Sequence, residues 1–144
     1  MNIFGTEMSR QEIFDKGVAA ILAQGEPSAE LVFEEYPDEP ELNHYEVSCL
    51  YRAPNGNKCL IGHLLPDDQY DPRMETVPAS TILDQSAIMP GGKFINELQA
   101  CHDEAAKSEE ANVMNTGPVF LDRFRDLADD FAQRHQLSPV VLYA

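Results

Sequence analysis

Residues 49–63 hold the feature that most constrains the fold, an Asn55-Gly56 pair between two short segments rich in apolar side chains. Asn-Gly favours the positive φ angles of a two-residue turn, whose twist matches that of paired antiparallel strands. We therefore predict a β-hairpin over residues 49–63. Because side chains alternate between the faces of a strand, Cys49 and Cys59 then point to opposite faces, unless a longer loop or a bulge shifts the register.

Three further segments repeat apolar residues at the spacing of amphipathic helices. The first begins at a capping box formed by Ser9 and Glu12 and ends at Gly25, the second covers residues 93–106, and the third covers residues 116–135. Together these patterns predict an α+β fold in which a small antiparallel β-hairpin packs against about three main α-helices.

The length and composition favour one globular domain over residues 1–144. Hydrophobic residues make up 43% of the chain, which is too many for a disordered protein. No apolar run approaches the roughly 20 residues that span a bilayer, and the N-terminal sequence lacks a signal-peptide pattern. Three cysteines are too few for a disulfide framework. We therefore expect a cytoplasmic protein with reduced thiols and no membrane partner.

The formal net charge is the most unusual property of the chain, with 25 Asp and Glu residues against 10 Lys and Arg residues and a total of −15. Such a chain repels phosphate groups, which argues against direct binding of nucleic acid or of an anionic membrane. The acidity serves solubility, or it complements a basic surface on a partner protein. The oligomeric state stays open.

Residues 26–46 form an acidic insertion with eight Asp or Glu residues and no Lys or Arg. Its centre, residues 31–36, fits either a short strand or one to two helical turns, because periodicity cannot decide over six residues. A charge block of this kind is a solvated loop or a contact surface for a basic partner. The outer face of the final predicted helix is also acidic. The candidate partner-binding residues are therefore Glu30, Glu34, Glu35, Asp38, Glu39, Glu41, Asp122, Asp126, Asp129 and Asp130.

Several smaller features concern the fold. Gly91-Gly92 predicts a flexible break before the second of the predicted helices. Arg52 and Lys58 are the basic residues of the predicted hairpin, and we interpret them as partners in an internal ion pair with Asp67, its neighbour or the acidic insertion. The apolar tail, residues 138–144, is expected to dock on the core or to add a strand.

Zinc is the first chemistry to consider, since Cys49, Cys59, His63 and His102 supply suitable ligand atoms. Zinc knuckles place paired ligands roughly two to four residues apart, whereas these two cysteines are ten residues apart. Cys101 lies on an apolar helical stripe, as a buried thiol does. The sequence therefore predicts no metal and no cofactor, with a zinc-stabilised module as the alternative.

A second candidate is the order His63, His102-Asp103 and then Asp122 or Asp126, which is similar to that of the metal-dependent phosphohydrolases named for their His-Asp pair. An anionic substrate would approach a chain of net charge −15 only with a well-placed cation. The sequence lacks the motifs of a serine or cysteine nucleophile and of a phosphate-binding loop. We therefore predict no catalytic residue.

One further pattern combines three segments: Cys-x-Tyr-Arg-x-Pro-x-Gly-x-Lys-Cys-x-x-Gly-x-Leu from Cys49 to Leu64, then Asp67-Asp68-x-Tyr70-Asp-Pro72, then Leu98-Gln99-x-x-His102-Asp103. Over residues 49–106 it resembles a recurrent group of short proteins from phage and prophage genomes. The acidic insertion is not part of that pattern, and Thr76 stands where the pattern has glycine. The group has no assigned activity, so the resemblance implies no catalytic residue. It implies a phage-like setting, in which small acidic proteins often inhibit host or defence machinery.

The leading hypothesis is a non-enzymatic, phage-encoded acidic protein that inhibits a host or defence protein by binding a basic surface, including one that binds nucleic acid. Side chains four positions apart on the final helix rise by about 6 Å, close to two base steps of about 3.4 Å, so nucleic-acid mimicry is geometrically allowed. The alternatives are a zinc-stabilised module or metal-dependent phosphohydrolase-like enzyme, and a structural or assembly factor that uses the apolar tail.

Overall fold

Helices dominate the fold, with two small antiparallel sheets beside them, which confirms the predicted α+β class. A computed structural model describes residues 1–110 and 113–144. Within these residues the elements are β1 (Asn2–Ile3), β2 (Thr6–Glu7), α1 (Arg10–Gln24), β3 (Ala29–Glu34), β4 (His44–Cys49), α2 (Leu60–Leu64), α3 (Ala79–Ile82), α4 (Pro90–Ala106) and α5 (Gly117–Arg134). Short 3-10 turns cover Pro40–Leu42, Asp67–Gln69, Pro72–Met74 and Val140–Tyr143.

Helix α1 begins and ends where the sequence predicts. The Ser9 hydroxyl accepts a hydrogen bond from the Glu12 backbone N–H at 3.1 Å, and the Glu12 carboxylate accepts from the Ser9 N–H at 2.9 Å. Both bonds satisfy helix-end donors that otherwise lack partners. Gly25 closes the helix with a φ of 78°, in the left-handed region that favours glycine.

The core lies between α1, α4 and α5. Aromatic rings join these helices, since Phe131 of α5 stacks on Phe14 of α1 at 6.0 Å and contacts Phe94 of α4 at 5.3 Å. The buried positions on α4 and α5 follow the predicted helical stripes, which confirms both helices. The tail docks rather than adding a strand: it forms a 3-10 turn whose Leu142 is buried.

The predicted flexible break at Gly91-Gly92 is wrong, because both glycines belong to the first turn of α4. A Cβ atom at Gly92 would overlap the backbone carbonyl oxygen of Ser86. The glycine is therefore needed for close backbone packing and not for flexibility.

The predicted hairpin over residues 49–63 is also wrong. The Asn55-Gly56 pair does form a turn, since Gly56 has a φ of 92° and an isolated bridge joins Arg52 to Lys58. The second arm is not a strand, however, because residues 60–64 form α2. Cys59 caps this helix by accepting from the Gly62 N–H at 3.3 Å.

Tertiary packing explains that error. A short apolar run reads equally well as a strand or as a buried helical turn, and Leu60 and Ile61 are completely buried as parts of α2. The real hairpin lies one segment earlier, in the predicted acidic insertion. There β3 and β4 pair antiparallel, from Ala29 opposite Cys49 to Glu34 opposite His44. The strand alternative for residues 31–36 is the correct one over Ala29–Glu34.

None of the helices in residues 1–110 and 113–144 is both long enough and apolar enough to cross a bilayer.

Candidate functional site

The β3–β4 hairpin, residues 29–49 and hereafter the acidic hairpin, has one apolar face. Alternation along the paired strands places Leu31, Phe33, Tyr45 and Val47 on this face. The Phe33 and Tyr45 rings lie opposite each other with centroids 5.1 Å apart. Leu31 is 42% exposed, Phe33 50% and Tyr45 48%, so the outer half of this apolar face meets solvent.

The inner half of the same face packs on the protein. Ala29, Val47 and Cys49 are partly buried against the hydrophobic core, and β4 contacts α4. Within the described residues β3 and β4 pair only with each other, so the outer edge of each strand has no strand beside it. The acidic hairpin is therefore an arm that is anchored at one end.

The opposite face of the acidic hairpin carries Glu30, Glu34, His44 and Glu46. The Glu46 carboxylate lies 2.9 Å from His44 Nε2. This contact, together with the carbonyl oxygen of Leu42, raises the pKa of the exposed His44. Protonated His44 would thus be the one cation on a face of carboxylates.

The nine-residue connection, residues 35–43, closes the tip. The Tyr36 backbone N–H donates to Asn43 Oδ1 at 2.6 Å, and the Tyr36 ring stacks on His44 at 5.8 Å. Tyr36 and Leu42 are exposed at this tip. The carboxylates of Glu35, Asp38, Glu39 and Glu41 are exposed beside them.

The predicted partner-binding residues fall on two separate elements of unequal charge. The acidic hairpin contains seven Asp or Glu residues and no Lys or Arg. Helix α5 has four Asp residues against three Arg residues, and Asp130 is paired with Arg134 at 2.8 Å. The acidic hairpin is therefore the stronger electrostatic feature. Its exposed apolar face was not predicted, because the sequence prediction considered only the charged residues of this segment. The apolar run Leu31-Val-Phe33 between Glu30 and Glu34 is the part of the sequence that signals this face.

A cleft of ≈ 300 Å³ lies at the root of the acidic hairpin, and we call it the root cleft. Its lining includes Cys49, Tyr51, Cys59, Gln99 and Asp103. All five residues belong to the three-segment sequence pattern described above. The expectation that Cys49 and Cys59 point apart is wrong, because Cys59 precedes a helix instead of lying in a paired strand.

Thr76 also borders the root cleft. Its φ is 75°, in the left-handed region that strains a β-branched residue and favours glycine. A glycine at this position would adopt this conformation without strain.

His102 is buried behind the root cleft with both ring nitrogens bonded. Nε2 accepts from the Ser28 backbone N–H at 2.9 Å, so the proton of the neutral ring lies on Nδ1. Nδ1 then donates to Asp103 Oδ1, 2.8 Å away. The same carboxylate oxygen accepts from the Gln99 amide at 2.9 Å.

A metal ion fits this cluster poorly. The ligand atoms of Cys49, His102 and Asp103 lie within 4.8 Å of one another. A histidine that binds a metal donates its second ring N–H to an acceptor. Here the second nitrogen faces the N–H of Ser28, which can only donate. His63 lies outside the cluster and bonds to Gln24 at 2.9 Å, so the four zinc candidates do not form one site.

The thiols are weak nucleophiles in this environment. Burial raises the pKa of Cys59 and of Cys101 to about 12, and it raises the pKa of Cys49 as well. The thiolate is the reactive form of cysteine, and both nitrogens of His102 are already engaged. His102 is therefore not placed to activate Cys49 or Cys59 in this arrangement.

The predicted internal ion pair is confirmed. Arg52 Nη1 lies 2.6 Å from Asp67 Oδ1, and Lys58 Nζ lies 3.5 Å from the same oxygen. Arg52 also donates to the Leu65 carbonyl oxygen at 2.9 Å and packs over the Tyr70 ring. Arg52 and Lys58 thus form intramolecular ion pairs.

No family model, curated protein or solved structure matches the chain. The function is therefore inferred from the geometry and charge of the molecule itself.

Proposed function

We propose that this protein is a non-enzymatic acidic interaction protein whose acidic hairpin binds a basic surface on a partner protein. The observation that supports this most strongly is the combination of two properties in one arm. The acidic hairpin has seven carboxylates without a Lys or Arg, and it exposes Leu31, Phe33 and Tyr45 on one face.

The apolar face supplies the contact area of the proposed interface. Aromatic side chains bury large surfaces at low entropic cost and often dominate interface energies. An arm that only kept the protein soluble would not need Phe33 and Tyr45 paired at 5.1 Å on a half-exposed face. We infer that the partner has an apolar groove that takes this face.

The charge identifies the chemistry of the partner. Two copies of the acidic hairpin would each bring seven carboxylates into one interface, and like charges in close contact repel strongly. A groove bordered by Lys and Arg would instead attract the arm and speed its association. The occupant of this surface is therefore a basic protein and not a second copy of the chain.

The resemblance to phage proteins gives the proposal its setting. In that setting the partner is a host or defence protein, and the acidic hairpin inhibits it by covering a basic surface. A nucleic-acid-binding surface meets the charge requirement, because it is built from Lys and Arg. The carboxylates of α5 are a weaker second contact, because its three Arg residues largely offset them.

The test is to isolate the partner from host extract with the tagged full-length protein and then to compare two charge-matched variants. Glu35→Lys with Glu39→Lys alters the acidic hairpin, and Asp122→Lys with Asp126→Lys alters α5. Both double variants change the net charge from −15 to −11, and all four side chains are exposed. We expect the hairpin variant to weaken binding at least tenfold and the α5 variant to weaken it much less.

A second comparison tests the apolar face. Phe33→Thr keeps a residue that favours strands and removes the aromatic ring, so we expect a stable protein that binds the partner several-fold less tightly. Affinity should also fall steeply with added salt. Equal losses in the hairpin and α5 variants, or binding that salt does not change, would refute the assignment of the contact to the acidic hairpin.

A further inference from the structure

The root cleft lies where the acidic hairpin joins the body of the protein. Cys49 at the end of β4, Thr76 before α3, and Gln99 and Asp103 on α4 contribute to its walls. Its volume of ≈ 300 Å³ is at the small end of ligand sites. A single side chain or a small molecule fits a space of this size.

Three polar side chains of the root cleft already donate a hydrogen bond within the protein, which leaves the Thr76 hydroxyl and the second N–H groups of two amides as side-chain donors. The Gln99 amide donates to Asp103, and the Asn96 amide donates to the Ser80 hydroxyl at 2.9 Å. The Tyr51 hydroxyl donates to the Val77 carbonyl oxygen. An anionic or hydrogen-bond-accepting ligand would therefore find few donors there.

The remaining capacity of the root cleft is that of an acceptor. Asp103 Oδ1 takes two hydrogen bonds from neutral groups, and the Cys49 thiol lies beside the same carboxylate, with its sulfur within 4.8 Å of a carboxylate oxygen. The carboxylate side chain is 32% exposed. Among residues 1–110 and 113–144, no Lys or Arg pairs with it, and no Lys, Arg or His lines the cleft.

From this accessible carboxylate we infer that the root cleft binds the guanidinium or ammonium end of an Arg or Lys side chain presented by the partner. The apolar parts of Leu50, Val77, Pro78 and Ala100 form the remaining walls. The methylene stem of a basic side chain packs against such walls while its charged end meets a carboxylate. This inference rests on the proposed function and adds an anchor at the root of the acidic hairpin.

The position of the cleft suits that role. Leu50 directly follows β4, so a basic chain that lies along the acidic hairpin reaches the root cleft at the end of the strand. A strand of six residues spans about 20 Å. A partner segment bound along the arm would thus place one basic residue at Asp103 and others near the carboxylates of the tip.

The inference is tested on the full-length protein without the partner. The two probes are N-acetyl-arginine amide and N-acetyl-citrulline amide, which have nearly the same shape but differ in charge. We expect the arginine probe to shift the NMR signals of Thr76, Asp103 and their neighbours at millimolar concentration. The citrulline probe should bind at least tenfold more weakly. Equal binding of both probes, or shifts confined to the acidic hairpin, would overturn the inference.

Two variants on α4 localise the effect. Asp103→Asn keeps a carbonyl oxygen that can accept from His102 and Gln99 but removes the charge. Glu104→Gln makes the same charge change at an exposed neighbour. Asp103→Asn should abolish the preference for arginine, and Glu104→Gln should retain it. If Asp103→Asn unfolds, the comparison of the two probes on the unaltered protein still decides.

The outcomes separate this inference from the proposed function. In one outcome Asp103→Asn loses arginine binding, but the hairpin variants bind the partner normally. That result would refute the proposed function and support the root-cleft site. In the opposite outcome the hairpin variants lose partner binding, but the root cleft shows no preference for arginine. That result would support the proposed function and refute the root-cleft site. Binding of the free probe as tight as about 10 μM would show a site built for a small cation, and would overturn the assignment to a partner side chain.

Discussion

The backbone N–H of Ser28 donates to Nε2 of His102 over 2.9 Å, and this bond connects the start of the acidic hairpin to the C-terminal part of α4. The Ser28 hydroxyl donates at 2.7 Å to the carbonyl oxygen of Leu50, which follows the other strand. Both Ser28 and His102 are completely buried. The two ends of the acidic hairpin are therefore fixed to the body through one serine.

Replacing His102 with alanine should destabilise the protein by about 3 kcal/mol. The change leaves the buried Ser28 N–H without an acceptor and opens a cavity, and each effect alone costs about 1–3 kcal/mol. The control is His44→Ala on the acidic hairpin, where the ring is partly exposed and the expected loss is below about 0.5 kcal/mol. Urea denaturation of the three proteins measures both values, and a difference of less than about 1 kcal/mol would contradict the structural role of His102.

His63 should make stability fall as the solution becomes acidic. Burial, with the nearby charge of Lys58, lowers its pKa to about 4 from 6.5. Between these values the unfolded chain binds more protons than the folded one, so the free energy of unfolding falls as the pH decreases from 6.5 to 4. The loss should reach roughly 1–2 kcal/mol, allowing for the partial exposure of the ring.

The matched variant is His63→Gln, whose amide can still donate to Gln24 but does not titrate. Both proteins are denatured at several pH values. The carboxylates that they share contribute equally to both free energies of unfolding, so this contribution cancels in the difference. The unaltered protein should lose roughly 1–2 kcal/mol more stability than His63→Gln as the pH falls from 6.5 to 4, and the offset between the two curves should stay constant above pH 6.5. Parallel curves would show that His63 has an ordinary pKa.

Gly62→Ala should cost about 2–3 kcal/mol, although alanine is normally favoured in a helix. A Cβ atom at Gly62 would overlap the backbone carbonyl oxygen of Tyr51, which side-chain movement cannot relieve. Gly56→Ala is the comparison, since its Cβ would meet nothing within 4 Å and only its φ of 92° opposes the change. That variant should lose about 1 kcal/mol. Thermal melts measure both, and the reverse order would refute the close approach of α2 to Tyr51.

Thr76→Gly should stabilise the protein by about 1 kcal/mol. Relief of the strained φ of 75° outweighs the added entropy of the unfolded chain, since left-handed strain costs about 1–3 kcal/mol and the entropy less. Thr81→Gly provides the control, because Thr81 lies in helix α3, where glycine should destabilise by a few tenths of a kcal/mol. A loss of stability in Thr76→Gly would mean that the side chain makes contacts that outweigh the strain.

Local sequence patterns were sufficient for the long helices. The capping box of Ser9 and Glu12 and the apolar stripes of α4 and α5 encode contacts within one turn or one face. Strand pairing depends on residues far apart in the chain. The Asn55-Gly56 turn therefore gave the stronger local signal for a hairpin, and the strands joined by residues 35–43 were not predicted as a pair. The apolar run at α2 became a helix through burial, which no six-residue pattern reveals.

The negative charge was the only property of the candidate site that the sequence predicted. The carboxylates of the acidic insertion were visible as a block, but their arrangement opposite an apolar face required the register of β3 and β4. The root cleft depends on contacts such as Ser28 with His102, which are 74 residues apart. Cysteine, tyrosine, glutamine and aspartate side chains from distant parts of the sequence meet there because α4 packs beside the end of β4.

Within residues 1–110 and 113–144 no further strand pairs with the acidic hairpin, and this has a consequence for how the protein behaves in concentrated solution. Bare edges template the addition of further strands and lead to aggregation unless something keeps copies apart. Mutual repulsion of the ionised arms provides that safeguard near neutral pH. At the isoelectric point of ≈ 4.4 the chain has no net charge, so the repulsion between copies is lost and the hairpins are free to stack edge to edge into larger assemblies.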